Sequence, residues 1–365
     1  MKIKAAVLYE AHQPLMIETL DLDEPKDGEV LVRIASAGVC HSDYHVMKGE
    51  WTTPLPMVLG HEAAGVVQSI GTGVKNVKVG DHVILNFRPN CGWCKDCVTG
   101  RPVLCNGADT ARWMMFDGTA RLHKDGNDIF HFARTASFAE YAVVPESGAV
   151  PVSRDMPLDK ACLVGCSIMT GVGAVTNTAR VEPGSSVVVI GCGGVGLNCL
   201  QGALLAGCER IIAVDVKQNK LDYAKEFGAT DVINASNRNA AEAVLELTGG
   251  GADYAFEAIG NSKTIEQAYE SIRPGGTAVI VGMAAETDEI TLNALSLPRT
   301  EKVLMGSWYG SARPWVDLPK LADLYLKGKL KIDEMISRSY KLEEINTAYD
   351  ALAQGVVARS IIEFD

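Results

Sequence analysis

The sequence predicts an α/β protein of two domains, one β-rich and one a doubly wound parallel sheet. Three observations carry that prediction. At 365 residues the chain is too long for one ordinary core. Its first 150 residues alternate apolar with small or polar positions, as in "EVLVRIASAGVC" and "AAGVVQSIGTGV", which is the period of half-buried strands. Near residue 165 the pattern changes to apolar runs separated by helical spacing, the mark of repeated β-α-β units.

Taken in order, "VGDHVILNF" adds a strand to the β-rich part. Residues 106–137 are polar and irregular, long enough for a functional or interface excursion. Val187 to Ile190 form a continuous apolar run of the kind buried in a parallel sheet. Helical spacing follows from Val195 to Ala206, and Ile211 to Val214 give a second strand. "LDYAKEFGATDVIN", "GADYAFEAIG" and "PGGTAVIVG" supply further units. The tail from about residue 309 holds helix-like "LPKLADLYLKGKL" and "LEEINTAYDALAQG", then strand-like "SIIEF".

Formal net charge is −11 and no basic stretch offsets it, so nucleic acid and anionic membrane surfaces are poor main partners. The opening "MKIKAAVLYEAHQP" lacks the apolar core of a signal peptide. No run of about 18 apolar residues predicts a membrane span. A cytoplasmic setting follows, where thiols stay reduced. Disulfides are then a poor account of the ten cysteines.

"GCGGVG" places Gly191, Gly193 and Gly196 in a G-x-G-x-x-G turn. Alone that pattern is weak. Here an apolar strand precedes it, a helix opening at Gly194 and Val195 follows, and Asp215 ends the next strand nineteen positions beyond Gly196, near the ~20 of the dinucleotide fingerprint. Gly191 allows the tight turn, Gly193 lets backbone approach a pyrophosphate, and Gly196 allows close helix–strand packing. The helix N-terminus would face the phosphates. Asp215 would accept from ribose hydroxyls and repel a 2′-phosphate, which favours NAD over NADP. Lys217 softens that repulsion.

Cys91, Cys94, Cys97 and Cys105 stand in the spacing C-x2-C-x2-C-x7-C, which suits tetrahedral zinc. Iron–sulfur ligation is the rival, but its common runs differ in the last spacing. Four thiolates close a zinc to substrate and leave it formally −2, so this site should be structural. Arg88, Lys95 and Arg101 would offset part of that charge. Chemistry must then lie elsewhere, among dispersed candidates. "GVCHSDYH" offers Cys40, His41, Ser42, Asp43 and His45; "LGHEAAG" offers His61 and Glu62; "LVGCSIMTG" offers Cys166. Each alone also reads as a buried thiol, a satisfied histidine or a solvated acid. Cys162, Cys192, Cys199 and Cys208 read as small hydrophobes.

Together "GVCHSDYH", "GHEAAGVV", the four-cysteine lobe, "CSIMTGVGA" and "VIGCGGVGL" make the chain resemble the zinc-dependent medium-chain alcohol dehydrogenases along its whole length. The resemblance implies a GroES-like catalytic domain over residues 1–167 and 309–365, with a zinc lobe at 88–106. A Rossmann domain at 168–308 would bind NAD. It implies two zinc ions per chain, one structural and one catalytic, the latter on Cys40, His61 and Cys166 with a fourth position open. Glu62 matches an acid that approaches the metal, and Asp43 the carboxylate that orients His61. Ser42 and His45 match a proton relay. His41 matches a basic residue facing the pyrophosphate, Thr170 a nicotinamide contact, Lys220 a residue on the adenosine-ribose side, and Arg359 a phosphate contact.

By the same resemblance Ser42, Trp51, Phe87, Phe132 and Met283 line the substrate cleft. The reaction implied is reversible, NAD-linked oxidation of a primary alcohol, aromatic, allylic or medium-chain, by hydride transfer at the open zinc. A variant of that reading keeps the nucleotide permanently bound and recycled by an external acceptor. The glutathione-dependent formaldehyde branch fits less well: its anion-binding arginine is Asp109 here, and its acidic pocket-mouth residue is Trp51. A non-catalytic NAD-binding protein fits least, since the ligands and relay are intact. Length and the segment after Cys105 resemble dimeric members more than tetrameric ones, which points to a homodimer.

Overall fold

The computed structural model describes residues 1–106, 111–355 and 358–365. The chain divides into two units, Met1–Cys166 with Arg313–Asp365, and Ser167–Ala312. The expected boundaries, after residues 167 and 308, lie one and four residues from these.

In the first unit, alternating apolar residues give strands whose one face is buried. Lys2–Leu8, Met16–Leu22, Leu122–Lys124, Asn127–His131 and Met57–Val58 close into a small barrel. A seven-stranded sheet runs Ala149–Pro151, His82–Leu85, Ala63–Ile70, Glu29–Val39, Arg359–Glu363 and Ile336–Tyr340, with Tyr141–Pro145 also paired to Glu29–Val39. The C-terminal strand is antiparallel to Glu29–Val39, with Ile361 opposite Gly38. That pairing returns the tail to the first unit and sets Arg359 beside the start of the site. Val32, Ile34, Val39, Leu59, Phe138, Ile345 and Tyr349 belong to its main core.

In the second unit the buried runs form a six-stranded parallel sheet. Its order is Asp231–Asn234, Arg210–Asp215, Ser186–Ile190, Ala252–Glu257, Ile272–Ile280 and Val303–Gly306. Numbered along the chain this is 3-2-1-4-5-6, the doubly wound order of dinucleotide-binding folds. Val187, Val188 and Val189 are fully buried, as a sheet covered on both faces requires.

One finding departs from the sequence expectation. The helix Leu158–Ala179 is long and apolar enough to cross a membrane by length and composition, with a mean hydropathy of 1.4. Most of it is packed inside the protein, so its apolar character serves a core. Polar Asp159, Lys160 and Ser167 break the run in sequence, which is why no uninterrupted stretch announces it.

Candidate functional site

Cys40, His61 and Cys166 come together from three places in the first unit. Cys40 follows the strand Glu29–Val39 and precedes the short helix His41–Met47. His61 lies just before the strand Ala63–Ile70. Cys166 sits in a π-type turn, Val164–Ile168, within the long helix. Such widened turns often mark functional sites because they re-aim a side chain. Gly165 makes the approach possible: a Cβ there would stand 2.7 Å from the Leu85 carbonyl oxygen. One ligand atom from each of the three residues lies within 4.8 Å of the others, and all three residues are buried. His61 Nε2 is 3.3 Å from Cys166 Sγ.

The surroundings tune these atoms. Asp43 is fully buried, and its Oδ1 accepts the Gly60 N–H at 2.8 Å and meets His61 Nδ1 at 3.3 Å. It therefore holds Nδ1 and leaves Nε2 to face the sulfurs, the arrangement that orients a ligating imidazole. A hydrogen bond from Cys166 pulls the Cys40 thiol well below its ordinary range against the effect of burial, with the charges of His61 and Arg359 helping. Burial opposes charging His61, yet Asp43 and Cys40 outweigh it and lift the ring to about 10. Two thiolates and an imidazole in a buried cluster are a donor set that suits zinc.

Two of the expected neighbours pair in ways the sequence did not announce. Glu62 is buried and bound to the Arg359 guanidinium. Arg359, expected at a phosphate, thus lies buried in the first unit, because a buried carboxylate needs a counter-charge. His45 meets Glu50 through Nδ1 and stacks on Trp51, with ring centroids 4.7 Å apart. Glu50 is thus a partner of His45 that sequence reasoning missed, although its place just past the helix was the available signal. Ser42 Oγ stands 3.8 Å from Cys40 Sγ.

Phe87 and Phe132 meet the His61 ring edge-on, with centroids at 5.2 and 5.5 Å. Of the expected cleft residues, these two and Ser42 lie at the ligand cluster. Met283 is in the second unit and 47% exposed, so the first unit does not bring it to them. Asp109 lies outside the described residues. His41 is exposed.

The four-cysteine lobe is a second, separate cluster. Its sulfurs are 3.5 Å (Cys94–Cys97), 3.6 Å (Cys91–Cys105), 3.8 Å (Cys94–Cys105) and 3.9 Å (Cys91–Cys97) apart. Zinc–sulfur bonds of ~2.3 Å at tetrahedral angles put sulfurs about 3.8 Å apart, so the set fits the ion. Backbone N–H groups of Cys91 and Cys94 donate to Cys105 and Cys91 Sγ, both at 3.3 Å. The Cys97 N–H holds the Cys94 thiol down to about 6, whereas burial pushes Cys97 up. Arg88 faces this charge as expected, and Arg134 joins it, both sensing Cys105; Lys95 and Arg101 are exposed.

The other four cysteines carry no such grouping among the described residues. Burial pushes the thiols of Cys162 and Cys192 up to about 12 and that of Cys208 to about 11, and raises Cys199 further. No cysteine is disulfide-bonded.

In the second unit, Gly191 adopts φ +97°, a conformation open mainly to glycine. A Cβ on Gly196 would lie 1.7 Å from the Gly191 carbonyl oxygen, whereas one on Gly193 would meet nothing within 4 Å. The turn is therefore packed on its strand side and open where a pyrophosphate would lie. The helix Gly194–Ala206 begins there without a side-chain cap, leaving N–H groups for an anion. Asp215 Oδ2 accepts from the Cys192 N–H at 2.9 Å and Oδ1 from the Lys217 N–H at 3.0 Å. Asp215 and Lys220 both act electrostatically on the Cys192 thiol within the turn. Thr170 belongs to this unit.

Two family models match the chain: an alcohol dehydrogenase GroES-like domain over residues 26–154 and a zinc-binding dehydrogenase over residues 194–327. The class-3 alcohol dehydrogenase of Dictyostelium discoideum is 42% identical over 98% of this chain and 97% of its own length. The S-(hydroxymethyl)glutathione dehydrogenase of Paracoccus denitrificans is 41% identical over 99% of this chain and 100% of its own. Among solved structures, the benzyl alcohol dehydrogenase of Acinetobacter calcoaceticus superposes with a TM-score of 0.92 at 34% identity, covering 100% of each chain.

Proposed function

The chain belongs to the zinc-dependent medium-chain alcohol dehydrogenase family, and from that premise we propose that it interconverts apolar primary alcohols, aromatic, allylic or medium-chain, and their aldehydes with NAD. Membership makes it a zinc- and NAD-dependent oxidoreductase acting on small alcohols and aldehydes. The substrate preference rests on one observation. Phe87 and Phe132 stand edge-on to the ring of His61, so apolar rings wall the approach to the open ligand position.

Zinc, when bound, would acidify an alcohol beside it, and NAD would accept the hydride. The remaining work belongs to the chain. Cys40, His61 and Cys166 would hold the ion with near-neutral charge. Asp43 keeps His61 in the tautomer that ligates. Ser42 would receive the alcohol proton beside Cys40, and His45, oriented by Glu50, would pass it toward solvent. Glu62 with Arg359 forms the charged floor behind Cys40. Gly193, the helix N-terminus, Asp215 and Lys220 would hold the dinucleotide.

A second reading, oxidation of S-(hydroxymethyl)glutathione, draws on the Paracoccus relative. Trp51 in place of an acidic pocket-mouth residue, and Asp109 in place of an anion-binding arginine, weigh against it. Comparing kcat/KM for benzyl alcohol, ethanol and S-(hydroxymethyl)glutathione with NAD decides. Benzyl alcohol should lead; a preference for the glutathione adduct or for ethanol overturns the pocket reading. Nucleotide released on denaturing the purified protein would support a permanently bound cofactor. We read the protein as a homodimer and as cytoplasmic, the latter in keeping with ten cysteines none of which is disulfide-bonded.

A further inference from the structure

Behind the ligand His61 stands Asp43, and behind Asp43 stands a residue from the far end of the chain. Tyr349 lies in the helix Ile345–Gln354 and is buried in the core of the first unit. Its ring stacks on Tyr44, with centroids 6.1 Å apart and planes at 12°. It also meets Phe138 edge-on, at 6.1 Å and 82°. Both contacts lead to the same carboxylate. Tyr44 is the next residue after Asp43 in the chain. Phe138 packs against Gly60, whose N–H binds Asp43 Oδ1.

The polar atoms there are left open in a complementary way. The Tyr349 hydroxyl is buried with no hydrogen-bond partner, and so is Asp43 Oδ2. One is a donor and the other an acceptor. Buried groups of this kind are seldom left unpaired without reason. Burial first, and then the Asp43 charge, keeps the phenol protonated far above its ordinary range, so the donor persists at any working pH. A phenylalanine would fill the same ring slot; only the hydroxyl asks for an explanation.

We propose that Tyr349 is a positioning residue for the catalytic metal site, donating its hydroxyl proton to Asp43 Oδ2 and so fixing the carboxylate that orients His61. The proposal rests on Cys40, His61 and Cys166 being metal ligands. The relay of influence runs from Tyr349 to Asp43 to His61, and no atom of Tyr349 touches substrate. Outer partners of a ligating histidine commonly change metal affinity by ~10–100-fold; Tyr349 stands one layer further out.

The test is Tyr349→Phe in the full-length holoenzyme. Three properties are read: the rate at which a chelator withdraws the zinc that Cys40→Ala lacks, the visible absorption of the cobalt-substituted protein, and the melting temperature. Release should quicken by about tenfold or somewhat less, with cobalt bands shifted. Adding Tyr349→Phe to Asp43→Asn should quicken release no further. Unchanged release and cobalt bands overturn the proposal. So does faster release that merely tracks a lower melting temperature with the bands unmoved. If Cys40→Ala and Asp43→Asn themselves leave metal content and release unaltered, the ligand assignment fails instead, which is a separate outcome.

Discussion

Arg359 and Glu62, 297 residues apart in the chain, form a buried ion pair behind Cys40. The C-terminal strand delivers the arginine, since Arg359 opens Arg359–Glu363 beside the strand that leads into Cys40. The pair ties the last residues of the chain to the acid that follows His61.

Removing one partner of that pair should be far worse than removing both. Arg359→Met leaves a buried carboxylate without its counter-charge, at a cost of about 3–5 kcal/mol. Adding Glu62→Gln should restore much of that stability. Denaturant unfolding of the single and double variants checks this; equal loss in both would show that packing, not charge, is at stake.

The lobe should behave as a fastener. Cys97→Ser removes one of four sulfurs that together would saturate an ion, so one zinc per chain should be weakened or lost, with lower thermal stability or altered assembly. The kcat of the folded fraction should change little. Metal analysis beside steady-state kinetics is the measurement.

Asp215 should govern the choice of dinucleotide. Asp215→Gly removes the carboxylate that would face a 2′-phosphate and also frees the Cys192 and Lys217 N–H groups it now accepts. The preference for NAD over NADP should fall at least about tenfold, ~1.4 kcal/mol. Unchanged cofactor ratios in kcat/KM would count against the assignment.

His131 should impose an acid sensitivity unrelated to the active site. It is fully buried, accepts the Arg121 N–H at 2.9 Å on Nε2, and is pushed from 6.5 down to about 3 by burial first and by the Arg121 charge next. The unfolded chain therefore binds a proton that the folded one refuses. Stability from this residue is complete above pH 6.5 and is lost as pH falls toward about 3, at about 1.4 kcal/mol per unit. His131→Gln should flatten the acid limb of melting temperature against pH; an identical limb would contradict the argument.

What could be read from the sequence was local chemistry. The four lobe cysteines lie within fifteen residues, and Gly191 to Asp215 form one β-α-β unit, so spacing alone conveys their purpose. Cys40, His61 and Cys166 needed the family resemblance, because three unlike elements converge on them. Tyr349 and Arg134 gave no signal at all. Each acts on a residue far from it in the chain, and an aromatic or basic residue in an amphipathic segment reads as ordinary core or surface. Lys95 and Arg101, chosen for nearness in sequence, turn outward, while Arg134 reaches the lobe from another segment. The helix Leu158–Ala179 shows the converse: its polar breaks hid a buried, strongly apolar element.

The central claim is that the sparse triad works and the dense cysteine lobe only holds. The most direct test is Cys40→Ala, with zinc content, NAD binding and turnover measured on the same preparation. One zinc per chain should remain, NAD should still bind, and alcohol oxidation should vanish. Turnover that survives, or a full complement of two zinc ions, would contradict the account.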